Sequence, residues 1–133
     1  GDVYKRQIMG EDEPTNCWGE LFYTTNIDII GLGLTTVESD IWWLLTHRAS
    51  IYYTNYCNMR KYMKNQITYY DAIDDLETSN LKDGQRQTYL KKENIHHLLT
   101  GAHVVVKSIQ LSQCNGRYED AYYRIIQMIK EEI

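Results

Sequence analysis

The stretch WWLLTHRASIYYTNYCNMRKYMKNQITYYDAI, Trp42 to Ile73, decides how the rest of the chain is read. Set out as heptads, it places Trp42, Ala49, Tyr56, Met63 and Tyr70 on one set of core positions. Leu45, Tyr52, Met59, Gln66 and Ile73 fall on the other. All but Gln66 are apolar or aromatic, and spacings of three and four make a coiled-coil-like helix seam with no Gly or Pro in it. One helix of that length runs roughly 45–50 Å at about 1.5 Å per residue, longer than a small domain is wide. Such a seam calls for partners along its length, in its own chain or in neighbouring subunits. The same stretch is locally basic: no acidic residue lies between Asp40 and Asp71, while Arg48, Arg60, Lys61 and Lys64 do.

Outward from this segment, the sequence predicts an all-α fold, one long helix over about 37–76 followed by an interrupted antiparallel helical return over about 89–133. Thr36 and Ser39 are candidate N-caps, with Glu38 and Asp40 in the first turn where the helix dipole favours anions. Residues 77–87 (ETSNLKDGQRQ) read as a polar loop with a turn at Asp83-Gly84, and a second helix starts near Tyr89 with Ile95, Leu98 and Leu99 buried. Gly101 ends or kinks it. Residues 104–111 are ambiguous between helix and strand: three consecutive valines suit a strand, while Ala102, Val105 and Ile109 continue helical spacing. Asn115-Gly116 is a turn or cap. The last helix, Arg117 to Ile133, aligns Tyr118, Tyr122, Ile125, Ile129 and Ile133 on one face.

Residues 8–35 read as an irregular arm, with a polar lead at Glu11–Pro14, short apolar runs at 21–25 and 27–30, and a Gly31-Leu-Gly33 that lacks the third glycine of a dinucleotide fingerprint. Residues 2–7 (DVYKRQ) resemble the translated transposon end used in preparing sequencing libraries, so residues 1–7 are set aside as non-native. Residues 36–133 are then expected to form a single helical domain.

The formal charge of −4 argues against a protein that coats nucleic acid over its whole surface, but it leaves room for a local basic face. The three cysteines, Cys17, Cys57 and Cys114, are odd in number and lack CxxC spacing, which points to a reducing compartment and a cytoplasmic protein. No run of apolar residues is long enough for a membrane span.

Glu93, His96, His97 and His103 have metal-ligand residue types, and Glu93 and His97 share a helix face at i, i+4. The HExxH order is missing, and surface histidines are the plainer reading. Asp71, Asp74, Asp75 and Glu77 form an acidic patch at the end of the long helix, where solvation of the helix end is the plainer reading. No nucleophile–base constellation or phosphate loop is visible, and no catalytic residue, metal or cofactor is assigned. The basic face carries the functional expectation. Arg60, Lys61 and Lys64, with Arg48, are interleaved with tyrosines including Tyr69 and Tyr70, and cations that track phosphates beside aromatics that stack on bases are the ingredients of single-strand binding.

Lys64 ahead of Tyr69-Tyr70, then Leu90-Lys91-Lys92-Glu93 with Ile95 and Leu98-Leu99, then Ile125-Ile126, resemble the pattern of the UvsY-type recombination mediators of tailed phages. Gln66 departs from it where the family often has a basic residue, as do the interruptions at Gly101 and Asn115-Gly116. The resemblance implies a non-enzymatic homo-oligomer in the cytoplasm of a phage-infected host. Its partners would be single-stranded DNA, a RecA-like recombinase and a single-strand-binding protein. Lys64, Lys61 and Arg60 would sit on phosphate, with Tyr69 or Tyr70 packing or stacking. The rival expectation is a helical homo-oligomeric phage structural or adaptor protein with no nucleic-acid role.

Overall fold

Ile67–Ile73 (ITYYDAI) is a β-strand, and this corrects the all-α expectation. The chain is an α/β protein. Its computed structural model describes residues 18–31, 39–75 and 83–132. A turn of 3-10 helix, Trp18–Glu20, leads into the short helix α1 (Leu21–Thr24) and strand β1 (Ile27–Ile30). Helix α2 (Ser39–Thr54), an irregular 3-10 segment (Tyr56–Tyr62) and strand β2 (Ile67–Ile73) follow. Helix α3 (Asp83–Gly101), strand β3 (Val105–Gln110), a 3-10 turn (Leu111–Gln113) and helix α4 (Tyr118–Glu132) complete the order. The expected cap at Thr36, the lead Glu11–Pro14 and the loop over 77–82 lie outside the described residues.

The long helix stops at Thr54 because three residues that follow have left-handed backbone: Asn55 (φ 51°), Cys57 (φ 51°) and Asn58 (φ 59°). Asparagine tolerates that region better than other side chains with a Cβ. Arg60 then closes the helix end, its Nε donating to the Tyr52 carbonyl at 2.7 Å and its Nη2 to the Tyr53 carbonyl at 3.2 Å. A cation on the last carbonyls satisfies orphan acceptors and meets the negative end of the dipole. Tyr56 and Met59, core positions of the expected seam, are exposed as a result.

The three strands form one parallel sheet in the order β1-β2-β3, with Ile29 opposite Tyr69 and Tyr69 opposite Val106, then Ala72 opposite Ile109. Each crossover carries a helix, as parallel neighbours require. Leu44, Leu45 and Ala49 of α2 and Leu99 of α3 share one core cluster with Ile29, Ile67 and Tyr69. Ala121 and Ile125 of α4 share a second with Tyr70, Ala72 and Ile109. Both crossover helices therefore cover one face of the sheet and α4 covers the other, giving three layers. The central strand is buried on both sides, which is why its sequence shows no alternation of polar and apolar residues.

The ambiguous segment after α3 resolves as a strand because the helix ends in a Schellman turn. His103 takes the left-handed position (φ 62°), Val104 N–H donates to the Leu99 carbonyl at 3.0 Å and His103 N–H to that of Thr100 at 3.1 Å. The left-handed residue is thus His103 and not Gly101. Helix α3 starts at Asp83, six residues before the expected start, so Asp83-Gly84 opens a helix where a turn was expected. The last helix agrees closely with its expected range, and Asn115 and Gly116, both at positive φ, make the turn into it.

Candidate functional site

The sheet has two ends, and polar side chains collect at each. At the amino end, the start of β2 and the α3–β3 corner enclose a cleft of about 490 Å³ lined by Tyr52, Arg60, Met63, Lys64, Gln66, Thr100 and His103. Arg60, already fixed by its bonds to the end of α2, lies 5.0 Å from the centroid of the Tyr52 ring. Tyr52 in turn stacks on His103 at 3.9 Å with 18° between the planes. Lys61 Nζ lies 5.0 Å from the centroid of Tyr62, itself exposed. Tyr53 and Tyr56 are exposed close by in the chain, as is Met59 on the irregular segment. A short run of backbone thus carries three exposed cations and several unburied rings, and two of the cations, Arg60 and Lys64, line the cleft.

Of the six residues assigned from the sequence, Arg60, Lys61 and Lys64 are exposed, and Arg60 and Lys64 line the cleft. Arg48 is 1% exposed, Tyr69 4% and Tyr70 0%, so none of these has surface to offer a ligand. Tyr69 and Tyr70 point to opposite faces of the sheet, into different core clusters. Arg48 instead donates through Nη2 to the backbone carbonyl and Oδ1 of Asn65, at 2.5 and 3.2 Å. Tyr52 and His103, whose stacked rings also line the cleft, are not among the six. The seam placed Tyr52 inside, and nothing local shows that His103 ends a helix.

Two imidazoles are held below their ordinary value of 6.5: His47 by burial, and His103 by burial first and by the nearby Arg48 second. His47 Nδ1 lies 2.7 Å from the Tyr23 hydroxyl, whose own ionisation burial pushes up, so the phenol donates and the neutral imidazole accepts. A base whose folded pKa is depressed binds fewer protons folded than unfolded, so its stabilisation is complete above about 6.5 and shrinks as pH falls through the window below. Thermal melts are expected to move to lower temperature between pH 7.5 and pH 5, and His47→Gln with His103→Gln should flatten that dependence. An unchanged slope in the double variant would assign the effect elsewhere.

The carboxyl end of the sheet holds a smaller recess of about 140 Å³, lined by Gly31, Tyr69, Asp71, Lys92, Ile95, His96 and Tyr122. Here Asp71 Oδ2 accepts from His96 Nε2 at 2.9 Å, both groups largely buried. Lys92 Nζ reaches the Ala72 carbonyl at 3.3 Å. Just beyond, the Asp75 carboxylate accepts from the backbone N–H and the hydroxyl of Ser112, at 3.0 and 2.5 Å, tying the end of β2 to that of β3. Those bonds hold the Asp75 carboxyl below the usual carboxylate range. The acidic residues Asp71, Asp74 and Asp75 therefore sit at the end of a strand and not of a helix, and Glu77 lies outside the described residues. The other metal-ligand residue types do not gather: His96 turns to Asp71, and His103, just past the carboxyl end of α3, lines the cleft at the opposite end of the sheet. Among the described residues no three His, Cys, Asp or Glu groups gather as a metal site, and no helix is long and apolar enough to cross a membrane.

Comparison with protein-family models, with curated proteins and with solved structures finds no match for this chain.

Proposed function

We propose that this chain binds single-stranded nucleic acid, without catalysis, across the exposed segment that carries Arg60, Lys61 and Lys64. The observation behind it is that these exposed cations, two of them lining a cleft, share a short run of chain with exposed Tyr53, Tyr56 and Tyr62, inside the long carboxylate-free stretch between Asp40 and Asp71. Phosphate binding needs local positive potential, and this segment concentrates it in a net-acidic chain. Unburied rings beside the cations offer faces on which bases stack, a contact worth roughly 1–3 kcal/mol per base. Arg60 is anchored to the helix end, so part of the surface is already ordered before a strand arrives.

The test is fluorescence anisotropy of a labelled single-stranded oligonucleotide across a salt series, with oligomer size followed in the same buffers. Lys61→Glu with Lys64→Glu is expected to weaken binding by at least about tenfold. The slope of log K against log salt should become shallower by roughly 0.7 for each phosphate that the variant no longer neutralises. Both side chains are exposed, so the fold is expected to survive. Undiminished binding by the double variant would remove the assignment. A multimer indifferent to DNA at low salt would favour the rival reading, in which the exposed tyrosines and Met59 form a protein interface. Loading of a RecA-like recombinase past a single-strand-binding protein is proposed only as a downstream use of this binding. The continuous helix on which the mediator resemblance rests ends at Thr54, so the proposal begins with the DNA.

A further inference from the structure

The recess at the carboxyl ends of β1 and β2 lies apart from the surface proposed for nucleic acid and contains the polar pair Asp71–His96. In open parallel sheets ligands are often held beyond the carboxyl ends of the strands, and this recess lies at that end of the sheet. It takes residues from β2, from α3 and from α4, with Gly31 closing the end of β1. Asp71 is a carboxylate 8% exposed in the central strand, a place where packing alone favours an apolar side chain.

The lining chemistry narrows the ligand. One carboxylate and one ammonium face the space beside an imidazole, so the lining is no cluster of like charge and offers both hydrogen-bond acceptors and donors. Asp71 and His96 are held to each other at 2.9 Å, so a carboxylate and an imidazole are presented to the space side by side. Lys92 supplies donors, and Ile95 and the Tyr122 ring supply apolar wall. Acceptors and donors set against apolar wall suit a molecule whose hydroxyls both give and accept hydrogen bonds. The volume, about 140 Å³, has room for a triol or one ring of a larger molecule. We propose that this recess binds a small, neutral, polyhydroxylated molecule, with hydroxyls bonding to Asp71, His96 and Lys92 and carbon against Tyr122 and Ile95.

The experiment follows the imidazole ¹⁵N signals of the whole chain during titration with ribose and with glycerol, and separately with inorganic phosphate and with acetate. The His96 signal is assigned by its absence in His96→Gln. A saturable shift of that signal with a polyol, and none with phosphate or acetate, is the expected result. Asp71→Asn should weaken polyol binding roughly 10- to 100-fold, the usual loss for a hydrogen bond to a charged group. Because Asp71→Asn also disturbs a buried pair, Tyr122→Trp serves as the second variant. It fills the recess from the α4 side and should abolish the saturable shift while leaving the chain folded, as its circular dichroism reports. Response to phosphate or acetate alone, full polyol binding by Tyr122→Trp, or no saturable shift in a parent chain with a native His96 signal would each overturn the proposal.

Discussion

An Ala72→Glu chain is expected to lose at least about 4 kcal/mol of stability, a large share of the roughly 5–15 kcal/mol that a domain has to lose. Ala72 is fully buried in the central strand, in the cluster of Tyr70, Ile109, Leu111, Ala121 and Ile125 beneath α4. A glutamate there must either bury an ionised carboxylate among apolar groups or force α4 off the sheet, and its extra volume has nowhere to go. The heptad reading gives the opposite outcome. On a helix Ala72 falls between the seam positions Tyr70 and Ile73, on the solvated flank, where a glutamate shifts stability by no more than about 0.5 kcal/mol. Thermal and urea melts followed by circular dichroism separate the two. Ala72→Val, expected to cost about 1–3 kcal/mol by overpacking alone, keeps the comparison measurable if the glutamate chain does not fold at all. A glutamate chain that melts within a few degrees of the parent would sink the parallel sheet.

That contrast shows where the sequence was legible and where it was not. From Trp42 to Tyr52 the seam is a real helix face, and Leu45 and Ala49 are buried as their positions require. Beyond Thr54 the apolar residues stay in phase by coincidence. Tyr56 and Met59 lie in the open, and Gln66, Tyr70 and Ile73 belong to the approach to β2 or to the strand itself. A strand covered on both faces has no polar partner positions to alternate with, so periodicity does not tell it from more helix. The break depends on left-handed backbone at Asn55 and Asn58, which asparagine permits without demanding it. Helix α4 was legible because its turn, its acidic first turn and its apolar face all agree within one short segment. The exposed cations at Arg60, Lys61 and Lys64 were legible for a similar reason: a lysine stays at the surface under most folds. The Asp71–His96 pair was not. Its members lie 25 residues apart and meet only because α3 packs back across β2.

Arg48 is the residue on which the two kinds of reading disagree most sharply, and an Arg48→Met chain is expected to lose about 2–4 kcal/mol while leaving the proposed affinity for single-stranded DNA unchanged. The side chain is 1% exposed, and its guanidinium reaches the Asn65 carbonyl and side chain. Asn65 in turn donates through Nδ2 to the carbonyls of Phe22 and Thr25, both at 2.9 Å. One arginine on α2 therefore fixes the approach to β2, and that segment fixes α1. A hydrogen bond from a charged donor contributes about 1.5–3 kcal/mol, and removing it also leaves a buried carbonyl without its partner. Arg48 Nε is buried with no partner of its own among the described residues, which keeps the total below that of a fully satisfied guanidinium. Methionine retains the apolar stem, so the loss reports on the polar contacts and not on a large cavity. Arg48→Lys, a single point donor in place of a planar fork, is expected to fall between the two. For a domain of this size the methionine chain should melt roughly 5–15 °C lower. If it keeps the parent's melting temperature and loses DNA affinity, Arg48 belongs to the interface and the Arg48–Asn65 contact is not its role. If it loses stability and keeps affinity, the basic surface is confined to Arg60, Lys61 and Lys64.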